Sequence, residues 1–417
     1  MEGPGGLLRQ GLVKPGEVVE HKVEGDGGGE ILQLPTEGPS RCSYSDLGKY
    51  PRTVEDVITS PDWIDTIPEG QEVDWAKPGY SRSQVDKAGD RLAKGQCSPQ
   101  ELAAAVEVMN NWRASHSYPL NTFQMTLRNR AKAIYEHANV VQRLKRATSI
   151  EGKLKLIPGM KLSRMQDIGG CRAIVTSVPL VDRLAEKYKS SDYHEFVREF
   201  DYLRGPKVTG YRGIHLVYRY RADTEPFQVY EGLSLEIQLR TTHQHSWATA
   251  VEVVDTLTGQ DLKSGHDGDP RWKRFFALMG TVLADLEGTE PVPDTPTDRG
   301  ILRAELTDLA QDLKAVEVLN AARATINGPP GHEKVSDLFL LKLDYAAHEV
   351  HYWGYLKNQI RVATRHLASL EEEVRQRPML NVVLVGAADL RAVRRAYPNY
   401  FMDTDRFIQE VKRALVA

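Results

Sequence analysis

The chain has 417 residues, 41% of them hydrophobic and 27% charged, so it is long enough for a buried core and for two or three domains of about 150 residues. Its 54 basic and 57 acidic residues give a net charge of -3, which excludes a uniformly basic nucleic-acid coat protein and requires any polyanion site to be local. We expect a cytoplasmic protein without a membrane partner, because no stretch approaches the ~18 apolar residues of a membrane span and the N-terminus lacks the pattern of a secretory signal.

The N-terminal third is predicted to be an extension followed by helices. Residues 1–60 are rich in glycine and acidic side chains with little apolar periodicity, which predicts a disordered extension. Apolar residues at helical spacing predict helices from about 83 to 147, interrupted at Pro119.

Strand and helix patterns then alternate, which predicts an α+β fold with a mixed sheet and flanking helices. The predicted strands are 171–178, 213–221 and 233–241, and the predicted helices are 180–190, 243–257 and 272–286.

The C-terminal part is predicted to form a small ββαβα unit. The proline-rich segment 288–300 predicts a linker, and a helix over 302–324 follows it. The unit itself is predicted as two strands around a turn in 339–355, a helix at 356–377, a strand at 381–387 and a helix at 404–416. We therefore predict an extension (1–60), a main domain with N-terminal helices (61–287), a linker with a connecting helix (288–331) and a small C-terminal domain (332–417).

Positive charge is concentrated in residues 128–164. This segment holds ten Lys or Arg and two Glu, so its net charge is 10 − 2 = +8 in a chain of net charge -3. Such a concentration favours a triphosphate or a nucleic-acid backbone as ligand. A solvated helical face is the alternative interpretation of any run of charges.

Carboxylates and a basic loop follow in an order that suits phosphoryl transfer. Asp167 precedes a hydrophobic strand with two glycines at its start, and Glu236 and Gln238 share one strand face because strand side chains alternate. The loop 201–215 lies between them and carries Lys207, Tyr211, Arg212 and His215. Each residue alone is compatible with a structural role. Together they predict a metal-dependent phosphoryl-transfer site.

Four segments carry a resemblance to a known family. RLKRATSIEGK, QDIGGCRAIV, DY..GPK..GYRGIH and EIQLRT...H.WA resemble, in order and spacing, the synthetase domain of the RelA/SpoT family over about residues 85–265. The resemblance implies a nucleotidyltransferase-like fold and transfer of the β,γ-pyrophosphate of ATP to a ribose 3′-hydroxyl of an acceptor. It also implies Mg²⁺ as the cofactor, and no zinc.

The resemblance assigns roles residue by residue. It implies that Asp167 and Glu236 hold Mg²⁺ and that Glu236 helps to deprotonate the attacking hydroxyl. The residues implied to bind ATP are Arg143, Lys145, Arg146, Lys153 and Arg172. The residues implied to bind or support the acceptor are Lys207, Tyr211, His215, Gln238 and Arg240, with Tyr211 stacking on the acceptor base.

Two departures from the family pattern lie in the loop 201–215, which is called the acceptor loop from here on. Thr209 precedes its Gly-Tyr pair, and Gly213 replaces the usual Ser. They leave the acceptor open between GDP or GTP, as in alarmone synthesis, and the 3′ end of tRNA, as in a translation-inhibiting toxin. No counterpart of the family's hydrolase domain is found, so we expect synthesis without degradation. The alternative from another class is a catalytically inactive module that binds nucleic acid or a protein partner.

The flanking segments resemble a subgroup. KPGYSRSQVDKAG, NNWRASHSYPLNTFQ and AYPNYF..T..F resemble toxic small alarmone synthetases, some of them fused to their own antitoxin as in CapRel-like phage-defence proteins. The resemblance implies a C-terminal pseudo-zinc-finger without metal, a role in autoregulation and a phage protein as a trigger. Residues 300–417 contain no cysteine, which agrees. Tyr352 and Tyr355 match a Tyr-x-x-Tyr element that covers the adenine site, although an aromatic strand edge is the alternative.

Overall fold

In the computed structural model, nine strands form one mixed sheet. The structure describes residues 73–95, 98–258, 262, 268–320, 325–327, 336–377, 380–401 and 404–416, which all fall within one compact unit. The predicted extension 1–60 lies outside the described residues. The strands are β1 (Asn139–Leu144), β2 (Gly169–Val175), β3 (Glu195–Asp201), β4 (Ile214–Arg219), β5 (Ser234–Thr241), β6 (Thr325–Asn327), β7 (Leu338–Asp344), β8 (Glu349–Tyr355) and β9 (Leu380–Gly386).

Helices flank the sheet. In chain order they are α1 (Arg82–Lys94), α2 (Pro99–Ser115), α3 (Ser117–Ile134), α4 (Ala147–Leu156), α5 (Val178–Lys189), α6 (Thr242–Thr258), α7 (Pro270–Glu287), α8 (Arg299–Asp312), α9 (Ala315–Asn320), α10 (Ile360–Gln376), α11 (Leu390–Ala396) and α12 (Asp405–Val416). Among the helices of the described ranges, none is both long and apolar enough to cross a membrane. The predicted α+β class with a mixed sheet is confirmed.

The strand order is β3-β4-β5-β2-β1-β9-β7-β8-β6. Within it, β5 and β2 run parallel, as do β8 and β6, and the remaining neighbours are antiparallel. The parallel pair places Gly170 opposite Glu236 and Arg172 opposite Gln238. Directly opposite residues lie on the same face of a sheet, so these polar side chains share one face.

The two faces of β1, β2, β4 and β5 differ in chemistry. On one face, alternate residues such as Val140, Ala173, Leu216 and Ile237 are buried in the main apolar cluster with α1 to α5. On the other face, the same strands present the charged and polar side chains of the predicted site. Because side chains alternate between the two faces of a strand, each of these strands contributes apolar residues to the core on one face and polar residues to the predicted site on the other.

The C-terminal strands extend this sheet. β9 pairs with β1, with Gln142 opposite Gly386 and Arg143 opposite Val385. One apolar cluster joins Val141 of β1 to Phe339 of β7 and to Tyr397 after α11. The predicted boundaries at 288 and 332 remain a prediction, and the strands on both sides of them belong to one sheet.

A buried ion pair ties α10 to the N-terminal helices. Arg113 of α2 donates from Nη1 and Nη2 to the two carboxylate oxygens of Glu371, at 2.7 and 3.2 Å. The two side chains are only 4% and 6% exposed. Glu371 also accepts the backbone N–H of Ala147, the first residue of α4, at 3.1 Å. The side-chain carboxylate of Glu371 thus accepts a hydrogen bond from a backbone amide that has no partner within its own helix, at the start of α4.

Several predicted elements differ in the structure. The prediction of helix up to 147 is wrong for Asn139–Leu144, because that stretch is β1, the buried neighbour of β2 and β9. The break between α2 and α3 falls at His116 rather than at Pro119, which lies in the first turn of α3, where no amide hydrogen bond is required. The predicted helix 302–324 divides at Lys314, whose φ is 48°. The strand β3 and the helix α11 were not predicted.

Replacing Glu371 tests the buried pair. Glu371→Ala leaves Arg113 buried without its partner, so we expect the free energy of unfolding to fall by about 3–5 kcal/mol in urea denaturation. The double variant Arg113→Met with Glu371→Met removes both charges and should lose less than Glu371→Ala alone. Exposed Glu372→Ala is the control and should change stability by no more than about 0.5 kcal/mol. Equal losses in Glu371→Ala and the double variant would contradict this account.

Candidate active site

Asp167 lies between two lysines at the start of β2. Lys145 Nζ donates to Asp167 Oδ2 at 2.9 Å, and Lys153 Nζ donates to Oδ1 at 3.0 Å. Burial by itself raises the pKa of the Asp167 carboxyl, but the two ammonium groups outweigh it and lower that pKa. Burial lowers the pKa of Lys145, which its attraction to Asp167 opposes. The structure therefore brings one predicted metal ligand together with two predicted ATP-binding cations.

Glu236 on β5 is held by two neighbours. His215 Nδ1 lies 2.8 Å from Glu236 Oε1, and Gln238 Nε2 donates to Glu236 Oε2 at 2.7 Å. Burial favours the neutral acid, but the His215 imidazole and the Gln238 hydrogen bond lower the pKa of Glu236 well below its ordinary value. The charge of Glu236 also raises the pKa of Asp167, so the two carboxylates interact electrostatically. The two predicted acids therefore lie near enough for their charges to interact.

Hydrogen bonds run from Arg240 to Glu236 through the acceptor loop. Arg240 Nη2 donates to the Tyr211 hydroxyl at 2.6 Å, and that hydroxyl lies 2.5 Å from His215 Nε2. Arg240 has no acceptor atom, so the Tyr211 oxygen accepts and its proton is available to His215 Nε2. His215 Nδ1–H is then the donor to Glu236. Tyr211, His215, Arg240 and Gln238 therefore form one connected network around the carboxylate.

The ring of Tyr211 is enclosed by cations and aromatic groups. Arg240 Cζ lies 5.0 Å and Lys207 Nζ 5.4 Å from its centroid, within the range of a cation–π contact. Lys207 Nζ is also 4.6 Å from the centroid of the Tyr202 ring. Trp247 contacts Tyr211 edge-on. An acceptor base that stacks on Tyr211, as the family resemblance implies, has to share the ring with these groups.

Two glycines in the acceptor loop hold conformations that other residues rarely adopt. Gly213 has φ 143°, and a Cβ there would lie 3.2 Å from the Leu239 carbonyl oxygen. Gly210 has φ 95°, and its Cβ would meet the Phe276 carbonyl oxygen at 2.7 Å. The departure from the family pattern at Gly213 therefore has a backbone cause in this chain.

Residues of the C-terminal segment contact the predicted ATP-binding arginines. Arg172 donates to Gln238 Oε1 from Nε and Nη2 and to the carbonyl oxygen of Ala396 from Nη1, at 3.3, 3.2 and 3.1 Å. Its guanidinium carbon lies 5.4 Å from the ring centroid of Tyr397. Burial lowers the pKa of Arg172 to about 10. Arg146 donates to Asn381 Oδ1.

Arg143 lies in β1 opposite Gly170, near enough to Lys145 and Arg172 that its charge lowers both of their pKa values. The predicted ATP-binding set is therefore gathered at one end of β1 and β2. The C-terminal contacts to this set were not predicted. Asn381 and Tyr397 lie more than 200 positions from the arginines they meet, and no sequence spacing reports such a contact.

The predicted autoinhibitory tyrosines point to different surroundings. Tyr352 is 3% exposed and belongs to the apolar cluster shared by β1, β7 and β9. The Tyr355 hydroxyl lies 2.5 Å from His366 Nδ1 of α10, and the Tyr355 ring packs with the cluster on the other face of the sheet. The role assigned to them remains a prediction. Among the described residues, Tyr397 is the aromatic residue whose ring lies over the Arg172 guanidinium.

The donor set fits magnesium. The described ranges contain no group of three or more His, Cys, Asp or Glu side chains able to hold a metal by themselves. Mg²⁺ commonly takes only one or two carboxylates from a protein and the rest of its ligands from water and substrate phosphates. Asp167 and Glu236 provide two such carboxylates.

The site coincides with a known sequence region. Residues 142–253 match the family model described as the region found in RelA / SpoT proteins. Residues 142–253 thus resemble a RelA/SpoT region. The match begins in β1 and ends in α6, so it includes both carboxylates, the lysines and the acceptor loop.

Individual relatives agree with that match. The chain is 33% identical over 115 residues to a GTP pyrophosphokinase of Bacillus subtilis, which is 26% of this chain and 52% of the relative. The chain therefore spans about half the length of the curated relative it matches, and the two are homologous over that part.

Solved structures of small alarmone synthetases also match. One from Bacillus subtilis, bound to its product pppGpp, is 26% identical over 41% of this chain and 90% of its own, with a TM-score of 0.34. A GTP pyrophosphokinase family protein from Streptococcus pneumoniae is 23% identical over 48% and 92%, with a TM-score of 0.34.

Substitution of Gly213 tests the loop geometry. Gly213→Ala forces a side chain into a positive-φ conformation against the Leu239 carbonyl oxygen, so we expect a loss of about 1–3 kcal/mol of unfolding free energy by thermal or urea denaturation. Gly152→Ala is the matched control, because Gly152 lies in α4 with open space around its Cβ. It should stabilise the protein by about 0.5–1 kcal/mol. A tolerated Gly213→Ala would show that the loop does not need its glycine.

Proposed function

We propose that this chain is an ATP-dependent pyrophosphotransferase that moves the β,γ-pyrophosphate of ATP to a ribose 3′-hydroxyl. The observation that carries the proposal is the placement of Asp167 and Glu236 at neighbouring strands, one held by two lysines and the other by His215 and Gln238. The match to the RelA/SpoT region over the same residues supports it. The homologous Bacillus subtilis protein is itself a GTP pyrophosphokinase.

The geometry suits the chemistry required. In the proposed reaction, the acceptor hydroxyl attacks the β-phosphorus, the bond between the α,β-bridging oxygen and that phosphorus breaks, and AMP leaves. The transition state gains charge on phosphate oxygens, so positioned cations are the largest contribution that the protein makes. Lys145, Lys153 and Arg172 supply such cations near Asp167 and Glu236.

Glu236 is the proposed base for the acceptor hydroxyl. Its lowered pKa keeps it ionised at neutral pH, and His215 and Gln238 fix its orientation. Mg²⁺ held by Asp167 and Glu236 would neutralise the triphosphate. The remaining groups orient the two substrates so that the hydroxyl and the phosphorus meet in line.

GDP or GTP is the first candidate acceptor, because homology points to guanosine nucleotide enzymes. The 3′ end of tRNA is the second candidate, favoured by the net charge of +8 over residues 128–164. A polyanion such as tRNA releases many counterions on binding, so its affinity should fall steeply with salt. A nucleotide should show a weaker dependence.

The C-terminal segment is proposed to regulate the enzyme, a role that a phage protein acting as a trigger would modulate. The contacts that support this are those of Ala396 and Tyr397 with Arg172 and of Asn381 with Arg146. Both arginines belong to the proposed ATP site. Any movement of this segment changes whether they are available to ATP.

A labelling assay tests the activity. Purified protein is incubated with Mg²⁺, ATP labelled at the γ-phosphate, and GDP, GTP or deacylated tRNA. We expect label to appear on one acceptor with release of AMP, and we expect Glu236→Gln to lower the rate about 100- to 10,000-fold because the base is lost. Asp167→Asn should be at least as damaging.

Glu195→Gln on β3 is the control for these variants, since Glu195 pairs only at the surface with Arg219, and it should retain wild-type activity. Label on no acceptor, with ATP still bound, would refute transfer and favour the inactive binding module. Label on tRNA alone, with binding that weakens steeply in salt, would select the second acceptor.

Replacing Tyr397 tests the regulatory contact. Tyr397→Leu removes the ring from Arg172 while retaining apolar volume, so Arg172 becomes available to adenine and the KM for ATP should fall. A cation–π contact of about 0.5–2 kcal/mol corresponds to about a 2- to 30-fold change. Phe401→Leu removes another aromatic ring from the same cluster and should leave the KM unchanged. A higher KM in Tyr397→Leu would mean that Tyr397 supports Arg172 instead of covering it.

A further inference from the structure

A buried carboxylate at the end of α7 holds the acceptor loop. Arg212 Nη2 donates to Glu287 Oε2 at 2.8 Å, and the two side chains are 2% and 5% exposed. Arg212 lies directly between Tyr211, whose hydroxyl contacts His215, and Gly213, whose backbone has positive φ. A fixed position for the Arg212 guanidinium therefore constrains the residues on both sides of it.

Glu287 connects two other elements, α6 and β5, to this loop. Gln244 Nε2 of α6 donates to Glu287 Oε2 at 3.0 Å, and the Thr241 hydroxyl at the end of β5 donates to Oε1. Arg212 Nη2 also donates to the Thr289 hydroxyl, directly after α7. One carboxylate thus joins the acceptor loop to the strand that carries Glu236 and to the two helices behind it. A buried carboxylate that accepts hydrogen bonds on both of its oxygens fixes the geometry of its neighbours strongly.

Backbone packing brings α7 against the same loop. A Cβ on Gly280 of α7 would lie 2.9 Å from the Gly210 Cα, and a Cβ on Gly210 would lie 3.2 Å from the Ala277 Cα. The loop and the helix therefore meet where both lack side chains. Trp247 Nε1, from α6, donates to the Phe276 carbonyl oxygen of α7 at 2.9 Å, so α6 is joined to the same part of α7.

The helix α7 lies outside the matched region, which ends at residue 253. The proposed acceptor residues Lys207, Tyr211 and His215 lie inside it. The loop that holds them is thus supported from a part of the chain that the family region does not include.

We propose that Glu287 is a positioning residue for acceptor binding, acting through Arg212 on the loop that carries Tyr211 and His215. The inference rests on the proposed pyrophosphotransferase function and adds that α7 sets the shape of the acceptor site. Glu287 acts without touching either substrate. Its loss should therefore affect the acceptor more than ATP.

Two measurements on the full-length protein test this role. Glu287→Gln keeps the shape of the side chain but removes its charge, so the loop loses its anchor. We expect the KM for the acceptor that the wild type uses to rise about 10- to 100-fold, since small displacements of positioning groups have effects of this size. The KM for ATP should stay within about twofold. Backbone amides of 204–215 should exchange their hydrogens faster by about tenfold or more.

The controls separate positioning from general damage. Exposed Glu290→Gln lies just beyond α7 and should match the wild type in both measurements. Glu287→Asp keeps the charge and should recover part of the acceptor KM. An unchanged acceptor KM, an equal rise in both KM values, or unchanged exchange over 204–215 would overturn the proposal. If the wild type transfers pyrophosphate to no acceptor, the proposed function fails, and the exchange measurement still tests whether Glu287 holds the loop.

Discussion

The parallel pairing of β2 with β5 is the constraint on which the rest of the site depends. Its register sets Gly170 beside Glu236 and so brings Asp167, three residues earlier in the chain, toward the second carboxylate. A shift of one residue would turn Glu236 and Gln238 into the apolar core and bring Ile237 to the polar face. The apolar residues on the opposite face, buried among helices, make such a shift costly. Core packing on one face of the sheet therefore fixes the relative position of two carboxylates that are not part of the core.

Much of this could be predicted because the signals are local. The alternation in β4 and β5, the apolar run in β2 and the helical pattern of α6 each specify an element from adjacent residues. β1 could not be predicted in this way, since its sequence NVVQRL mixes apolar and polar residues and directly follows a helical pattern. Its strand conformation comes from neighbours that are far away in the chain. The break predicted at Pro119 was wrong because proline interrupts a helix only beyond its first turn, and Pro119 lies within the first turn of α3.

The site residues also divide into those with a local sequence signal and those whose contacts come from distant parts of the chain. Asp167, Glu236 and the acceptor loop were predicted from their order, and the structure brings them together. The partners of Arg146 and Arg172 were not predicted, because Asn381 and Tyr397 reach them only through the pairing of β9 with β1. Glu287 was also missed, since an acid at the end of a helix has no sequence signal that distinguishes a buried anchor from a surface charge.

The pairing of β1 with β9 has a consequence for how the chain is made. β1 lies at 139–144 and its partner β9 at 380–386, so this side of β1 stays unpaired during synthesis until β9 has left the ribosome. Contacts between segments so far apart form slowly, and an open central strand is a template for pairing with other chains. A nascent chain that ends before β9 would hold residues 142–253 but not the strand that flanks β1. The contact of Asn381 with Arg146 therefore forms only after β9 has been synthesised.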